Sequence, residues 1–262
     1  MILTSASQLG VPYKISSAPA QPSISTTDLM MWWDPGNPSG YVAGSPNRLV
    51  NLAPTGTTWD GSQTTWVAGA GSAAELNATG RYITFTKGST GGAIIIKSPN
   101  FTTGFVPANQ AFTYISWVYI VGSLPTTTPG PLVHIPSGGG GLRTGFRVTS
   151  SSRQYNSNST SGGNFAGSFV ANTWYMFAMT VGNAGGSGTA NVTRIGYLNG
   201  ALDGSSSTAT VNNQTTSATL CVGHAFGQNN TSYRQGMVAV YLRALSAGDI
   251  QTIYNTYSPY YV

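Results

Sequence analysis

The sequence predicts an all-β protein: a sandwich of short strands closed by one C-terminal helix and preceded by an extended arm. Three observations carry this. From Leu29 onwards, apolar runs of six to eleven residues alternate with Gly/Ser/Asn/Pro clusters, which is the rhythm of a sandwich or jelly roll. Charged residues make up 6% of the 262, yet 40% are hydrophobic and 11% aromatic, so there is core enough to rule out a disordered chain. Only the segment 242–257, "LRALSAGDIQTIYNTY", has helical spacing.

Taken in order, residues 1–27 come first. They are rich in Ser, Ala and Pro (Pro12, Pro19, Pro22) with irregularly placed apolar residues. That composition reads as an arm, lying along its own domain or against a neighbouring subunit, ahead of a single domain at 28–262. The arm has neither a basic n-region nor a sustained apolar h-region and is not read as a signal peptide. The expected strands are 29–34, 48–53, 81–87, 92–98, 111–121, 141–149, 172–182, 191–200, 218–226 and 234–243. In 111–121, Phe112, Tyr114, Ser116, Val118 and Ile120 share one face, and Thr113, Ile115, Trp117 and Tyr119 the other. Apolar residues on both faces place this strand inside the fold. Turn chemistry such as "NPSG", "GSTGG" and "LNGALDG" separates the strands. In the last segment Ser246 can cap a helix with Asp249 three residues on, in the Ser-x-x-Asp form of a capping box. Ile250, Ile253, Tyr254 and Tyr257 then make an apolar face, and Pro259 ends it.

The eleven Lys and Arg, giving a net charge of +5, are scattered singly, whereas a nucleic-acid binder carries a basic patch. No run is long enough to span a membrane as a helix. The single cysteine, Cys221, excludes an internal disulfide and reads as a small buried residue.

Five stretches in the expected order resemble the concanavalin A-like jelly-roll superfamily in its laminin-G-like form. They are "MMWWDPGNPSGY", "FTYISWVYI", "NTWYMFAMTV", "RIGYLNGAL" and the closing "GMVAVYLRALSAGDIQTIYNTY". The resemblance covers about 30–257 and implies the jelly-roll fold. The Asp-x-Gly-Asn-Pro-x-x-Tyr turn at 34–41 is similar to that in structural proteins of tailed bacteriophages. A virion protein is therefore expected, with major capsid or tail subunits and copies of itself as partners.

The chemistry-bearing residues are sparse. Jelly-roll glucanases carry their acids as Glu-x-Asp-x-x-Glu, and a retaining glycosidase needs two carboxylates about 5 Å apart. Here the acids are Asp28, Asp34, Asp60, Glu75, Asp203 and Asp249, none close in sequence to another. His134 and His224 have no nucleophile-and-acid pattern near them, and two His with one Cys give no zinc spacing. No cofactor is expected, with calcium left open at Asp34 and Asn37, which otherwise form a tight turn. Loop aromatics offer a glycan platform or interface anchors: Trp59 beside Asp60, Trp66, Tyr155, and Tyr233 beside Asn229 and Asn230. The expectation is a non-enzymatic virion structural protein, a capsid decoration or cement protein held through its arm. The alternative is a carbohydrate-binding head or tail fibre for host adsorption.

Overall fold

The computed structural model describes residues 21–42, 48–67, 73–86, 93–97, 111–124, 130–136, 143–148, 153–156, 162–182, 190–204, 207–211, 221–223 and 232–262. The first third holds β1 (Leu29–Trp33), β2 (Tyr41–Val42), β3 (Arg48–Leu49), β4 (Gly61–Val67), β5 (Ala73–Asn77) and β6 (Tyr82–Thr86). The middle holds β7 (Ala93–Lys97), β8 (Phe112–Ile120), β9 (Gly130–Pro136), β10 (Arg143–Val148), β11 (Arg153–Asn156) and β12 (Gly162–Asn164). Then follow β13 (Trp174–Val181), β14 (Ala190–Leu198), β15 (Ala201–Leu202), β16 (Ser207–Val211), β17 (Cys221–Gly223), β18 (Tyr233–Tyr241) and helix α1 (Ala247–Tyr257).

Two antiparallel sheets result. The first runs β15-β14-β13-β8-β18-β6-β5, with β16 added on β14 and β1 on β18. The second runs β12-β11-β10-β9-β17-β7-β4-β3-β2. Between them Phe85, Phe112, Tyr114, Val118, Phe177, Val238 and Val240 of the first sheet meet Leu49, Phe146 and Val222 of the second. The outer face of the first sheet is also apolar, with Ile115, Trp117, Met176 and Ala239, and α1 covers it with Ile250, Ile253 and Tyr257. The two-faced pattern of 111–121 thus marks the middle layer of three.

The helix forms as its cap predicts. Asp249 N–H donates to the Ser246 hydroxyl at 3.1 Å, and Ser246 N–H donates back to the Asp249 carboxylate at 3.0 Å. The backbone and then the hydroxyl of Ser246 hold the Asp249 carboxyl below the usual carboxylate range. A carboxyl whose folded pKa is depressed stabilises the fold above the unfolded value, about 3.9, and that contribution fades as pH falls through the folded value. Ser246→Ala is expected to cost about 1 kcal/mol, a drop of roughly 2–4 °C in the thermal midpoint. Melting curves from pH 7 to 3 should show the gap between the two proteins narrowing below about pH 4.

One expectation needs amendment. The run 48–53 is a strand only at Arg48–Leu49, because Asn51 turns its side chain into the backbone. Its Oδ1 accepts from Trp32 N–H at 2.8 Å and Ala53 N–H at 3.2 Å, and its Nδ2 donates to the Gly56 carbonyl at 2.9 Å. At the other end of the expected arm, residues 21–27 lie along the domain. Pro22 is buried, Ile24 packs under α1's layer, and the Tyr241 hydroxyl donates to the Ser25 carbonyl at 3.0 Å. Residues 1–20 lie outside the described residues. No described helix is long and apolar enough to cross a membrane.

Candidate functional site

The most developed site lies on the outer face of the first sheet, beside α1. Its foundation is a buried polar cluster. Asp34, just after β1, is fully buried; its Oδ1 accepts from Gly36 N–H at 2.9 Å. Its Oδ2 accepts from the Arg81 guanidinium, and from the Tyr257 hydroxyl at 3.0 Å. Tyr257 in turn accepts from Trp32 Nε1 at 3.0 Å, and Arg81 donates to the Gln21 side chain at 2.9 Å. Burial, reinforced by the charge of Asp34, pushes the Tyr257 hydroxyl far above the ordinary tyrosine range. Burial does the same to Tyr261, so both phenols remain neutral donors. Arg81 is left-handed (φ 57°) at the end of the β5–β6 turn, a conformation uncommon outside glycine, and its ion pair holds it there.

Above this cluster the aromatic side chains form a continuous stack. Tyr254 of α1 lies parallel to Trp117, with ring centroids 5.6 Å apart, and Trp117 rests on Tyr261 at 4.7 Å. Tyr261 contacts Trp174 at 4.7 Å, and Trp174 contacts both Tyr119 (5.5 Å) and Tyr82 (5.7 Å). A bulge in β18 between Gln235 and Val238 makes room for Tyr261. There Met237 N–H donates to the Tyr261 hydroxyl at 2.8 Å, and a Cβ on Gly236 would stand 2.7 Å from the Tyr261 ring. The stack ends at the surface, where Tyr82, Tyr119 and Trp174 are half-buried around Arg234. The Arg234 guanidinium carbon sits 4.6 Å from the Tyr119 ring centroid and 4.8 Å from that of Tyr82. Asn77 orients the Tyr82 phenol by donating to it at 3.0 Å.

Such a surface offers flat aromatic faces for apolar contact and a cation with N–H donors beside them. A second, shallower depression of about 80 Å³ lies between residues 23–25 and α1, lined by Ile24, Tyr241, Arg243 and Thr252 among others.

The residues nominated from sequence lie elsewhere. Asp34 and Asn37 make the expected tight turn, with Ser39 N–H donating to Asn37 Oδ1 at 2.9 Å, but the partners of Asp34 Oδ2 come from 47 and 223 residues away. Among the described residues no three His, Cys, Asp or Glu side chains converge as a metal site. Trp59 sits in a short 3-10 turn packed against the inter-sheet core, its carbonyl accepting from Trp33 Nε1 at 2.8 Å. Asp60 accepts from Asn51 N–H at 2.8 Å. Tyr233 is not a loop residue: it opens β18, is 1% exposed and stacks on Phe85 at 5.2 Å. Its ring serves the core because position 233 points between the sheets. Trp66 and Tyr155 fall in β4 and β11, with side chains outside the described residues, as do those of His134 and Cys221. His224, Asn229 and Asn230 lie outside them altogether. The sequence reading placed Tyr82, Tyr119, Trp174 and Arg234 in strands without joining them. What joins them is register, which sets Tyr119 opposite both Arg234 and Trp174.

The comparisons agree with this architecture. No curated protein matches the chain. Among solved structures it is similar to Trypanosoma rangeli sialidase, at 15% identity and a TM-score of 0.58, over 90% of this chain and 34% of that one. It is also similar to the ligand-binding domain of botulinum neurotoxin serotype D in complex with N-acetylneuraminic acid, at 14% identity and a TM-score of 0.58, over 88% of this chain and 51% of that one. The binding domain of Paraclostridial mosquitocidal protein 1 gives 14% and 0.52, over 88% and 52%. The chain thus spans between a third and about half of these proteins, and the likeness is one of fold. The model of the concanavalin A-like lectin/glucanases superfamily, Laminin_G_3, matches residues 77–251. With two antiparallel sheets, a capped closing helix and this match over most of its length, the chain belongs to the laminin-G-like branch of the concanavalin A-like superfamily.

Proposed function

We propose that the chain is a non-enzymatic carbohydrate-binding domain whose binding surface is the half-buried platform of Tyr82, Tyr119 and Trp174 around Arg234. The platform itself carries the reading. Three aromatic rings held by a stack anchored in the core meet a saccharide without having to be ordered first, which lowers the entropic cost of binding. The botulinum neurotoxin domain of the same fold is in complex with N-acetylneuraminic acid, which supports a saccharide as ligand. The non-catalytic part rests on the acids. Asp34 is committed to Arg81, Asp60 to Asn51, Asp203 to the N–H groups of Ala166 and Gly167, and Asp249 to the helix cap. Asp28 lies 3.8 Å from Arg243, and Glu75 stands in β5, opposite Thr84.

The test is binding to an array of surface saccharides, neutral and acidic, followed by titration of the best ligand. Trp174→Ala and Tyr119→Ala are each expected to weaken affinity about tenfold or more, 1.4 kcal/mol per decade, with the β-rich circular dichroism unchanged. A blank array, or full affinity in both variants, would overturn the proposal.

The placement of this domain on a phage particle is a second proposal, favoured by the Asp34–Tyr41 turn and by a surface with so few charges. It covers both capsid decoration and host adsorption. Antibody labelling of intact particles tests it, and unlabelled particles would end it.

A further inference from the structure

Resting on the carbohydrate reading, we infer that the platform selects an acidic saccharide, one bearing a carboxylate or sulfate, and that Arg234 is the residue that pairs with the acid. Arg234 lies on β18 between β8 and β6, opposite Tyr119 on one side and Thr84 on the other. Each flanking strand supplies one tyrosine ring against the guanidinium. The guanidinium carbon lies over both rings, and a guanidinium carries forked N–H donors that engage an oxyanion in bidentate fashion.

The other well-placed arginines of this layer are spent. Arg81 is paired with Asp34, and Arg243 lies against Asp28 and Asp249. The Arg234 guanidinium has no hydrogen bond or ion pair with any described residue, although the residue is half-buried. Partly desolvating a cation without a counter-charge costs free energy, and the two tyrosine faces offset part of it. An arriving anion supplies the rest. Local competition for it is small. Glu75 is the single acid in β5, β6, β8, β13 and β18. It stands opposite Thr84, two strands from Arg234, and forms no ion pair with it. Thr84, opposite Arg234 in register, and Tyr82, whose ring lies under the guanidinium, offer neutral hydroxyls for the sugar.

The experiment compares acidic saccharides with their neutral parents: sialylated, hexuronate and sulfated oligosaccharides, each beside the same chain without the acidic group. Wild-type protein should bind at least one acidic member about tenfold or more tighter than its parent, with affinity falling as salt rises. Arg234→Met, which keeps an apolar stem between the tyrosines, should weaken binding of the acidic member about tenfold more than binding of its neutral parent, erasing that preference. Arg234→Lys, which keeps the charge but not the fork, should retain only part of it. Sialylated and sulfated arms separate carboxylate from sulfate as the acidic group. Equal binding of acidic and neutral partners, or a preference that survives in Arg234→Met, overturns this inference while the carbohydrate reading stands. Absence of binding to every saccharide, neutral ones included, overturns both.

Discussion

Asp34→Ala is expected to destabilise the protein by about 3–5 kcal/mol, the cost of removing one partner of a buried ion pair. On thermal melting that is a fall of roughly 6–20 °C for a chain of this size. The size follows from what is left behind. Arg81, 5% exposed, would keep its charge without a counter-ion. The Tyr257 hydroxyl would lose its acceptor inside the fold, and the Gly36 N–H its turn partner. Arg81→Met alone should be comparably damaging, since it strands the carboxylate. The double variant should be far less damaging than the sum, because removing both charges removes the desolvation problem with the attraction. Urea unfolding of the four proteins reads the coupling directly. If Asp34→Ala costs less than about 1 kcal/mol, the cluster is not the anchor described above.

Trp117→Ala should cost a similar 3–5 kcal/mol, as large-to-small changes in a packed core do. Trp117 is 2% exposed and lies between Tyr254 of the helix and Tyr261. Its loss therefore opens a cavity between sheet and helix. A second consequence separates this residue from other core positions: Trp174 rests on Tyr261, which rests on Trp117. Saccharide affinity should fall several-fold in a residue that touches no ligand, while Trp117→Phe restores most of it. An Ala variant with native affinity and a native unfolding midpoint would show that the stack transmits nothing.

Much of the fold was legible because the informative residues act locally. Ser246 and Asp249 are three apart and cap the helix as their spacing implies, and the two-faced pattern around Trp117 does mark a middle layer. Several of the strands that sequence reading missed, Gly61–Val67, Ala73–Asn77, Arg153–Asn156 and Ser207–Val211, are built largely from Gly, Ser, Thr, Asn, Gln and Ala. Such residues carry no apolar alternation, so their pairing is set by neighbouring strands rather than by their own pattern. The platform was illegible for a related reason. Tyr82, Tyr119, Trp174 and Arg234 come from four strands, and only the register brings them together. Tyr233, read as a loop aromatic beside Asn229 and Asn230, instead opens β18 with its ring in the core, on the face opposite to Arg234, the period of two deciding between core and surface.

The pairing of β1 with β18 has one more consequence, and it concerns time rather than stability. Leu29, Met31, Trp32 and Trp33 find their strand partners at Tyr241, Val240, Ala239 and Val238, and Asp34 waits for a hydroxyl at residue 257. On a ribosome, β1 is an apolar strand whose mate, β18, follows only after β2 to β17 have been made. Closure of loops this long is the slow part of folding, so β1 and β18 act as a clasp that shuts late.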